Sequence, residues 1–235
     1  MVTRPSSYLA FDLETTGIDS FRDVPVSYAF VEHKVLNGSP VAARETGVVN
    51  PGRPIPAQST AVHGITDAMA QEGIALGEAI DLISERIRGH WSSGGAIVGM
   101  NVAYDLTMVE ALCRVYDIPS LSSAGPGPVL DVYVIDKTLD KWRKGKRTLS
   151  DLCVRYNVSL DNAHNAEGDA EATLKIYEAM EVEFPSLAQL DLEAINSTLD
   201  KWHHEYLSSL SDYFVKSGKP AISPGRFSWP INSVS

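Results

Sequence analysis

The sequence predicts an α/β fold, with three antiparallel strands first, two more interleaved with helices, and a helical extension at the C-terminal end. Three observations carry this. Residues 8–11, Tyr-Leu-Ala-Phe, form a short apolar run with aromatic content that fits a buried strand. Residues 24–35 and 41–49 are β-rich runs separated by Asn37-Gly38-Ser39-Pro40, a strong hairpin signal. From residue 76 onward apolar positions recur at helical spacing, interrupted by short apolar runs at 96–100 and 129–131. The 235 residues suffice for one such domain with a good core, or one domain plus an appendage.

In chain order, residues 50–56 hold three prolines and a glycine and predict an extended loop. His63-Gly64-Ile65-Thr66 follows, with Thr66 placed to cap a short helix. Leu76, Ala79, Ile80, Ile83 and Ile87 mark a helix over 76–89. Gly94-Gly95 leads into the strand at 96–100, and Asn101 opens an amphipathic helix over 103–116. A Gly/Pro loop at 122–128 precedes the strand at 129–131 and a helix to about residue 140. After a basic loop at 141–147 come a helix at 148–156 with Asp151 in its first turn, a polar connector at 157–165, and an Ala- and Glu-rich helix at 167–184 that stops before Pro185. An apolar stripe from Leu187 to Phe214 predicts one helix over 186–217, ended by Gly218 and Pro220. Residues 221–235 read as an extended tail anchored by Phe227, Trp229 and Pro230. The natural division is a domain at 1–185 and an extension at 186–235.

A formal net charge of −10 argues against a protein that coats nucleic acid non-specifically, which needs a broadly basic face. It does not argue against an enzyme acting on nucleic acid, where cations neutralise a carboxylate pocket and a local basic patch holds the strand. Cys113 and Cys153 form no CxxC or zinc spacing and predict buried free thiols in a reducing compartment. With no signal-peptide pattern in residues 1–12 and no run of 18 apolar residues, the expectation is a soluble, cytoplasmic protein without membrane contact.

The stretch from Phe11 to Gly17 carries the first chemical signal. Asp12 and Glu14 stand two apart on a strand and so point to one face. Two such anions repel and are costly to desolvate unless a cation or hydrogen bonds compensate, and hard oxygen donors suit Mg²⁺ or Mn²⁺. The same spacing fits a strand ending in polar residues at a turn. Asn101-x-x-x-Asp105 places a carboxylate at a helix start, where it can simply complement the helix dipole. His164 precedes Asp169 by five residues, the histidine in a loop and the aspartate in the first helical turn. Lys141 to Arg147 holds five cations in seven residues beside Trp142. It reads as a solvated loop or, preferably, as phosphate contacts through Lys144, Lys146 and Arg147, since cations beside an aromatic can hold and stack a strand. His203 and His204 diverge by about 100° on a helix and predict a surface pair, not a metal site.

Taken in order, Asp12-x-Glu14-Thr15-Thr16-Gly17, Asn101-x-x-x-Asp105 and His164-x-x-x-x-Asp169 resemble the DnaQ-like, or DEDDh, 3′→5′ exonuclease family, which includes the proofreading ε subunit of bacterial DNA polymerase III. Asn50-Pro51-Gly52, Pro54-Ile55-Pro56 and His63-Gly64-Ile65-Thr66 match the same pattern, and the resemblance covers residues 6–184. The tail, with Trp202 and Trp229-Pro230, resembles stand-alone exonucleases of actinobacteria. The resemblance implies a ribonuclease H-like α/β fold, a mixed five-stranded sheet flanked by helices, and a metal-dependent exonuclease that releases nucleoside 5′-monophosphates, from DNA in preference to RNA. It implies Asp12, Glu14, Asp105 and Asp169 as ligands of two Mg²⁺ or Mn²⁺ ions, with Asp12 bridging, and His164 as general base. Leu13, Thr15, Thr16, Gly17, His63 and Asn101 would hold the terminal nucleotide. The sequence departs from the common pattern at Met100, where many members have histidine, and at Ser27 or Tyr28, where many have glutamate. Rival functions are an exoribonuclease of the ribonuclease T or oligoribonuclease type, and a polymerase-associated subunit that mainly binds. The extension is then a candidate for packing on the catalytic domain, for docking a DNA polymerase or repair partner, or for pairing two copies.

Overall fold

The computed structural model describes residues 3–36, 39–160 and 164–233. The first apolar run is β1 (Tyr8–Thr15), an interior strand of a mixed sheet. It pairs antiparallel with β2 (Pro25–Leu36), which pairs with β3 (Ser39–Asn50). The Asn37-Gly38 part of the predicted hairpin turn lies outside the described residues. Next come α1 (Ala57–His63) and α2 (Asp67–Gln71), the latter capped by the Thr66 hydroxyl, which accepts the Met69 N–H as expected. β4 (Ile74–Ala75) is a two-residue strand parallel to β3. It makes the sheet six-stranded, in the order β4-β3-β2-β1-β5-β6. A pair of residues is too short to show alternation, so only the five longer strands are legible in the sequence.

The remaining elements are α3 (Leu76–Ser92), β5 (Ala96–Gly99), α4 (Ala103–Val115), β6 (Val129–Asp131), α5 (Val132–Leu139), α6 (Leu149–Tyr156), α7 (Ala166–Glu183) and α8 (Ile195–Lys216). Strand alternation sorts β1 between two cores. Leu9, Phe11 and Leu13 pack with Phe30 and the apolar faces of α3 and α4, where Phe11 and Phe30 stack at 5.0 Å. Ala10 faces the other way, toward α5, α6 and α7. Asp12 and Glu14 continue the Ala10 face past the last residue that β5 pairs, since the parallel register runs only from Tyr8 to Ala10.

The predicted helix over 186–217 is interrupted. After Pro185 the chain turns, with the Leu187 N–H bonded to Phe184 O. The Asp191 side chain then caps a 3₁₀ turn at Leu192–Ala194 and accepts the Thr3 N–H, while Leu192 N–H bonds to Thr3 O. These bonds to the N-terminal segment replace intrahelical ones, and α8 begins only at Ile195. The tail is also less extended than expected, with a 3₁₀ turn at Pro224–Phe227 and Trp229 packed against both cores.

Leu187, Ile195 and Leu199 are buried with Leu130 and Val132, so the extension shares the core of the sheet. Asn196 stitches α8 to the edge strand β6: its side chain accepts the Val129 N–H and donates to the carbonyls of Pro126 and Gly127. The open edge is thereby covered. His203 is buried rather than exposed, because its ring packs on Trp229 and its Nε2 bonds to Arg226 O; His204 alone stays at the surface. Cys113 and Cys153 are buried and free. Among the described residues no helix is long and apolar enough to cross a membrane.

Candidate active site

Three elements deliver four carboxylates to one end of the sheet. Asp12 and Glu14 come from the C-terminal half of β1, Asp105 from the first turn of α4, and Asp169 from the first turn of α7. Both helix starts offer positive dipole ends to their own carboxylates. α7 is capped by the Asn165 side chain, which accepts the Glu167 N–H at 3.0 Å and fixes where Asp169 stands. One oxygen each from Asp12, Glu14 and Asp169 lies within 4.8 Å of the others. Asp105, only 6% exposed, falls outside that triad but its charge reaches Asp12.

The electrostatics are those of a site awaiting positive charge. Burial, then the charges of Asp105, Asp169 and Glu14, push the Asp12 carboxyl well above the carboxylate range. Glu14 is pushed up to about 7, by burial and then by Asp169. Asp105 is raised by burial, against hydrogen bonding from its own backbone and that of Leu13. Asp169 is raised by burial, with the backbone and charge of His164 opposing, and its Oδ1 is buried without a hydrogen-bond partner. A set of crowded oxygen donors with an orphaned oxygen fits a hard divalent cation such as Mg²⁺ or Mn²⁺.

His164 is exposed at the mouth of this cluster, in the left-handed backbone region at φ +66°. Asn101 is in the same region at φ +57°. Histidine and asparagine tolerate this conformation better than most residues, and its presence at two site positions marks a backbone held in place by its surroundings.

Asp131 does that holding for Asn101. Buried at 1% exposure, its carboxylate accepts the N–H groups of Asn101 and Val102 at the start of α4 and of Tyr133 and Val134 at the start of α5. Burial nonetheless pushes its pKa up to about 6. Sequence inspection places a strand end and a helix start here without assigning the aspartate a role; its N-cap position is the signal that could have found it.

The Thr15-Thr16-Gly17 turn is equally braced. The hydroxyls of Tyr104 and Thr15 both donate to Gly17 O at 2.7 Å, and the Ser59 hydroxyl of α1 donates to Thr16 O at 2.8 Å. The Thr16 hydroxyl donates to Asp23 and accepts the Val24 N–H, so this side chain serves the turn and not the cleft. A Cβ on Gly17 would lie 2.4 Å from the Asp23 carboxylate, which is why glycine is needed there. Leu13 is buried in the apolar core, leaving its backbone alone near the carboxylates. His63, half-buried, bonds through Nδ1 to the Ile65 N–H, and burial lowers its pKa while the Thr15 backbone opposes. Tyr104, Ser59 and Asp23 are site-building residues that motif spacing does not single out.

The basic loop divides in two. Arg147, its side chain 7% exposed, pairs with the buried carboxylate of Asp136, as does Arg143, and Tyr156 donates to the same group. Arg147 therefore anchors the loop and does not reach a strand as the sequence suggested. Lys144 and Lys146 are exposed, and Trp142 stands 87% exposed beside Lys141.

Comparison with known proteins bears on this arrangement. The family model described as Exonuclease (RNase_T) matches residues 9–177, which include all four carboxylates and His164. The chain is 34% identical over 175 residues to the DNA polymerase III subunit epsilon-like protein of Rhodobacter capsulatus, covering 73% of this chain and 23% of that one. It is 26% identical over 200 residues to the DNA polymerase III PolC-type of Latilactobacillus sakei, covering 85% of this chain and 13% of the relative. Among solved structures its fold is similar to exonuclease I of Methylocaldum szegediense, with a TM-score of 0.62 and 21% identity over 77% of this chain and 41% of that one. It is likewise similar to E. coli exonuclease I in complex with a dA16 oligonucleotide, with a TM-score of 0.64 and 17% identity over 77% of this chain and 42% of that one. The chain thus spans less than half the length of each of these proteins.

Proposed function

Since the chain belongs to the Exonuclease family whose model spans residues 9–177, we propose that it is a metal-dependent 3′→5′ exonuclease that hydrolyses DNA and releases nucleoside 5′-monophosphates. The observation that carries this is the meeting of Asp12, Glu14 and Asp169 oxygens within 4.8 Å, with Asp105 close enough to raise Asp12 further.

Asp12, Glu14, Asp105 and Asp169 would hold two Mg²⁺ or Mn²⁺ ions. Divalent cations held there would supply a lowered pKa for an attacking water and positive charge for the departing 3′ oxygen. The chain's own residues do the rest. His164 takes the proton from the water as general base, the role imidazole most often fills. The braced Thr15-Gly17 turn, the Leu13 backbone, His63 and Asn101 hold the terminal nucleotide against the carboxylates. Lys144 and Lys146 contact phosphates further up the strand. The buried free thiols support a cytoplasmic location.

The test is purified protein with Mn²⁺ on 5′- and 3′-labelled single-stranded DNA, duplex DNA and RNA. The expected result is stepwise shortening of DNA from the 3′ end with mononucleotide products. Preferential shortening of RNA would transfer the enzyme to exoribonucleases, and no cleavage of any strand would refute the proposal. The polymerase names of the two relatives favour a second role, association with a DNA polymerase. Co-elution of the two proteins in size-exclusion chromatography tests it.

A further inference from the structure

The extension beyond the family match does more than cover the sheet edge. Between it and the catalytic elements lies a groove of about 830 Å³. One wall is the Ile18–Phe21 segment, which follows the braced turn, with Asn101, Ala103 and Tyr104 at the start of α4, the helix that carries Asp105. The opposite wall is Tyr206, Leu210 and Phe214 of α8 with Arg226 of the tail. We propose that this groove is a subsite for single-stranded nucleic acid, in which the extension stacks bases upstream of the terminal nucleotide and contacts their phosphates. This rests on the nuclease function proposed above.

Five observations support it. The groove borders the candidate active site through Asn101 and Tyr104, which line it, while the carboxylates themselves do not. Its volume falls within the ~300–1,000 Å³ range of sites for ligands of nucleotide size.

Its lining holds aromatic rings and Arg226, and two lysines outside the lining stand against those rings. Tyr133 and Tyr206 meet edge-on at 5.6 Å with their hydroxyls bonded, and the Lys137 ammonium stands 5.3 and 5.2 Å from the two rings. Lys219 stands 5.5 Å from the Phe214 ring. Aromatic faces beside cations are how strands are held without sequence preference.

The charge pattern is unlike the rest of the chain. In a protein of net charge −10, the sequence after Asp212 holds Lys216, Lys219 and Arg226 and no acidic side chain. The carboxylate lining the groove, Asp19, is engaged with the Phe21 N–H and Arg22.

The wall is also fixed in place. The Asn232 N–H donates to the Thr107 hydroxyl of α4, the helix that carries Asp105, and His203 holds the Arg226 carbonyl.

The test compares wild type with Arg226→Ala, Tyr206→Ala and Tyr206→Phe. The readout is the ratio of kcat/KM on a ten-nucleotide DNA strand to that on the p-nitrophenyl ester of thymidine 5′-monophosphate, which has no upstream nucleotide. Loss of one stacked base predicts a roughly tenfold fall in this ratio for Tyr206→Ala. Tyr206→Phe, which keeps the ring, restores it, and Arg226→Ala lowers the ratio at low salt more than at high salt. A ratio equal to wild type in both alanine variants, each with a wild-type melting temperature, overturns the proposal. So does a variant that keeps the ratio but converts a dimer to a monomer, which would make the groove a protein interface. Wild-type protein inactive on both substrates would instead refute the nuclease function itself.

Discussion

Replacing Asp131 should damage both stability and turnover, although the residue lies outside the carboxylate cluster. Its carboxylate accepts Asn101, Val102 and Tyr133 N–H groups at 3.0, 2.9 and 2.9 Å, and Val134 N–H more weakly at 3.3 Å. Alanine takes the partner from three well-formed donors, Val102 N–H buried and Asn101 and Tyr133 N–H part-buried, at up to about 1–3 kcal/mol each. The carboxylate's own desolvation, visible in a pKa pushed up to about 6, offsets part of that loss. The expected net cost is about 3–5 kcal/mol, a large share of the ~5–15 kcal/mol that holds a domain together. Asparagine keeps one oxygen and sets an amide against the Val102 N–H or the other donors, so about 1–3 kcal/mol is expected. The freed Asn101–Val102 turn starts the helix that places Asp105, and a shift of about 1 Å there predicts a loss of about 10²-fold in kcat/KM. Urea denaturation and turnover on a single-stranded oligonucleotide at saturating Mn²⁺ measure both. An Asp131→Ala protein within about 1 kcal/mol of wild type, with wild-type turnover, would refute the bracing role.

His164→Ala should lower kcat by roughly 10²–10⁴-fold with much smaller change in strand affinity, measured by single-turnover kinetics and anisotropy; near wild-type kcat would remove the histidine from the chemistry. In EDTA, Glu14 has a folded pKa of about 7, above its ordinary ~4.3, so the folded chain keeps a proton that the unfolded chain releases. Its stabilising contribution is complete below about pH 4 and is lost as pH rises through about 7. The melting temperature of wild type minus that of Glu14→Gln should therefore fall from pH 6 to pH 8, and a difference that grows would contradict the electrostatic account. Lys144→Ala/Lys146→Ala should flatten the salt dependence of strand binding, by up to about 0.7 in log–log slope for each phosphate that a lysine no longer neutralises, and an unchanged slope would make the loop a solvated surface.

Much of this molecule is legible because its chemistry sits where strands and helices begin and end. Alternation along Tyr8–Glu14 puts the two carboxylates on one face, and the starts of α4 and α7 carry Asp105 and Asp169. What stays hidden is set by neighbours distant in sequence. β4 is too short to show a period. The break before α8 depends on Thr3, far along the chain from Asp191. Arg147 has the composition of a phosphate ligand, but its partner is Asp136, and only the fold reveals that Asp136 is buried. His203 faces inward because Trp229 folds back on α8. Asp131 and Tyr104 act by bracing backbone turns, a role that leaves little trace in residue spacing.

The most direct test of the central claim is hydrolysis of a 3′-labelled single strand by protein stripped with EDTA, followed through add-back of Mn²⁺ or Mg²⁺. Four crowded carboxylates that repel one another and the substrate phosphate predict no release of labelled mononucleotide in EDTA, recovery with either cation, and no recovery in Asp12→Ala or Asp169→Ala protein. Release that continues in EDTA, or that survives loss of both aspartates, would contradict a metal-dependent site built on Asp12, Glu14, Asp105 and Asp169.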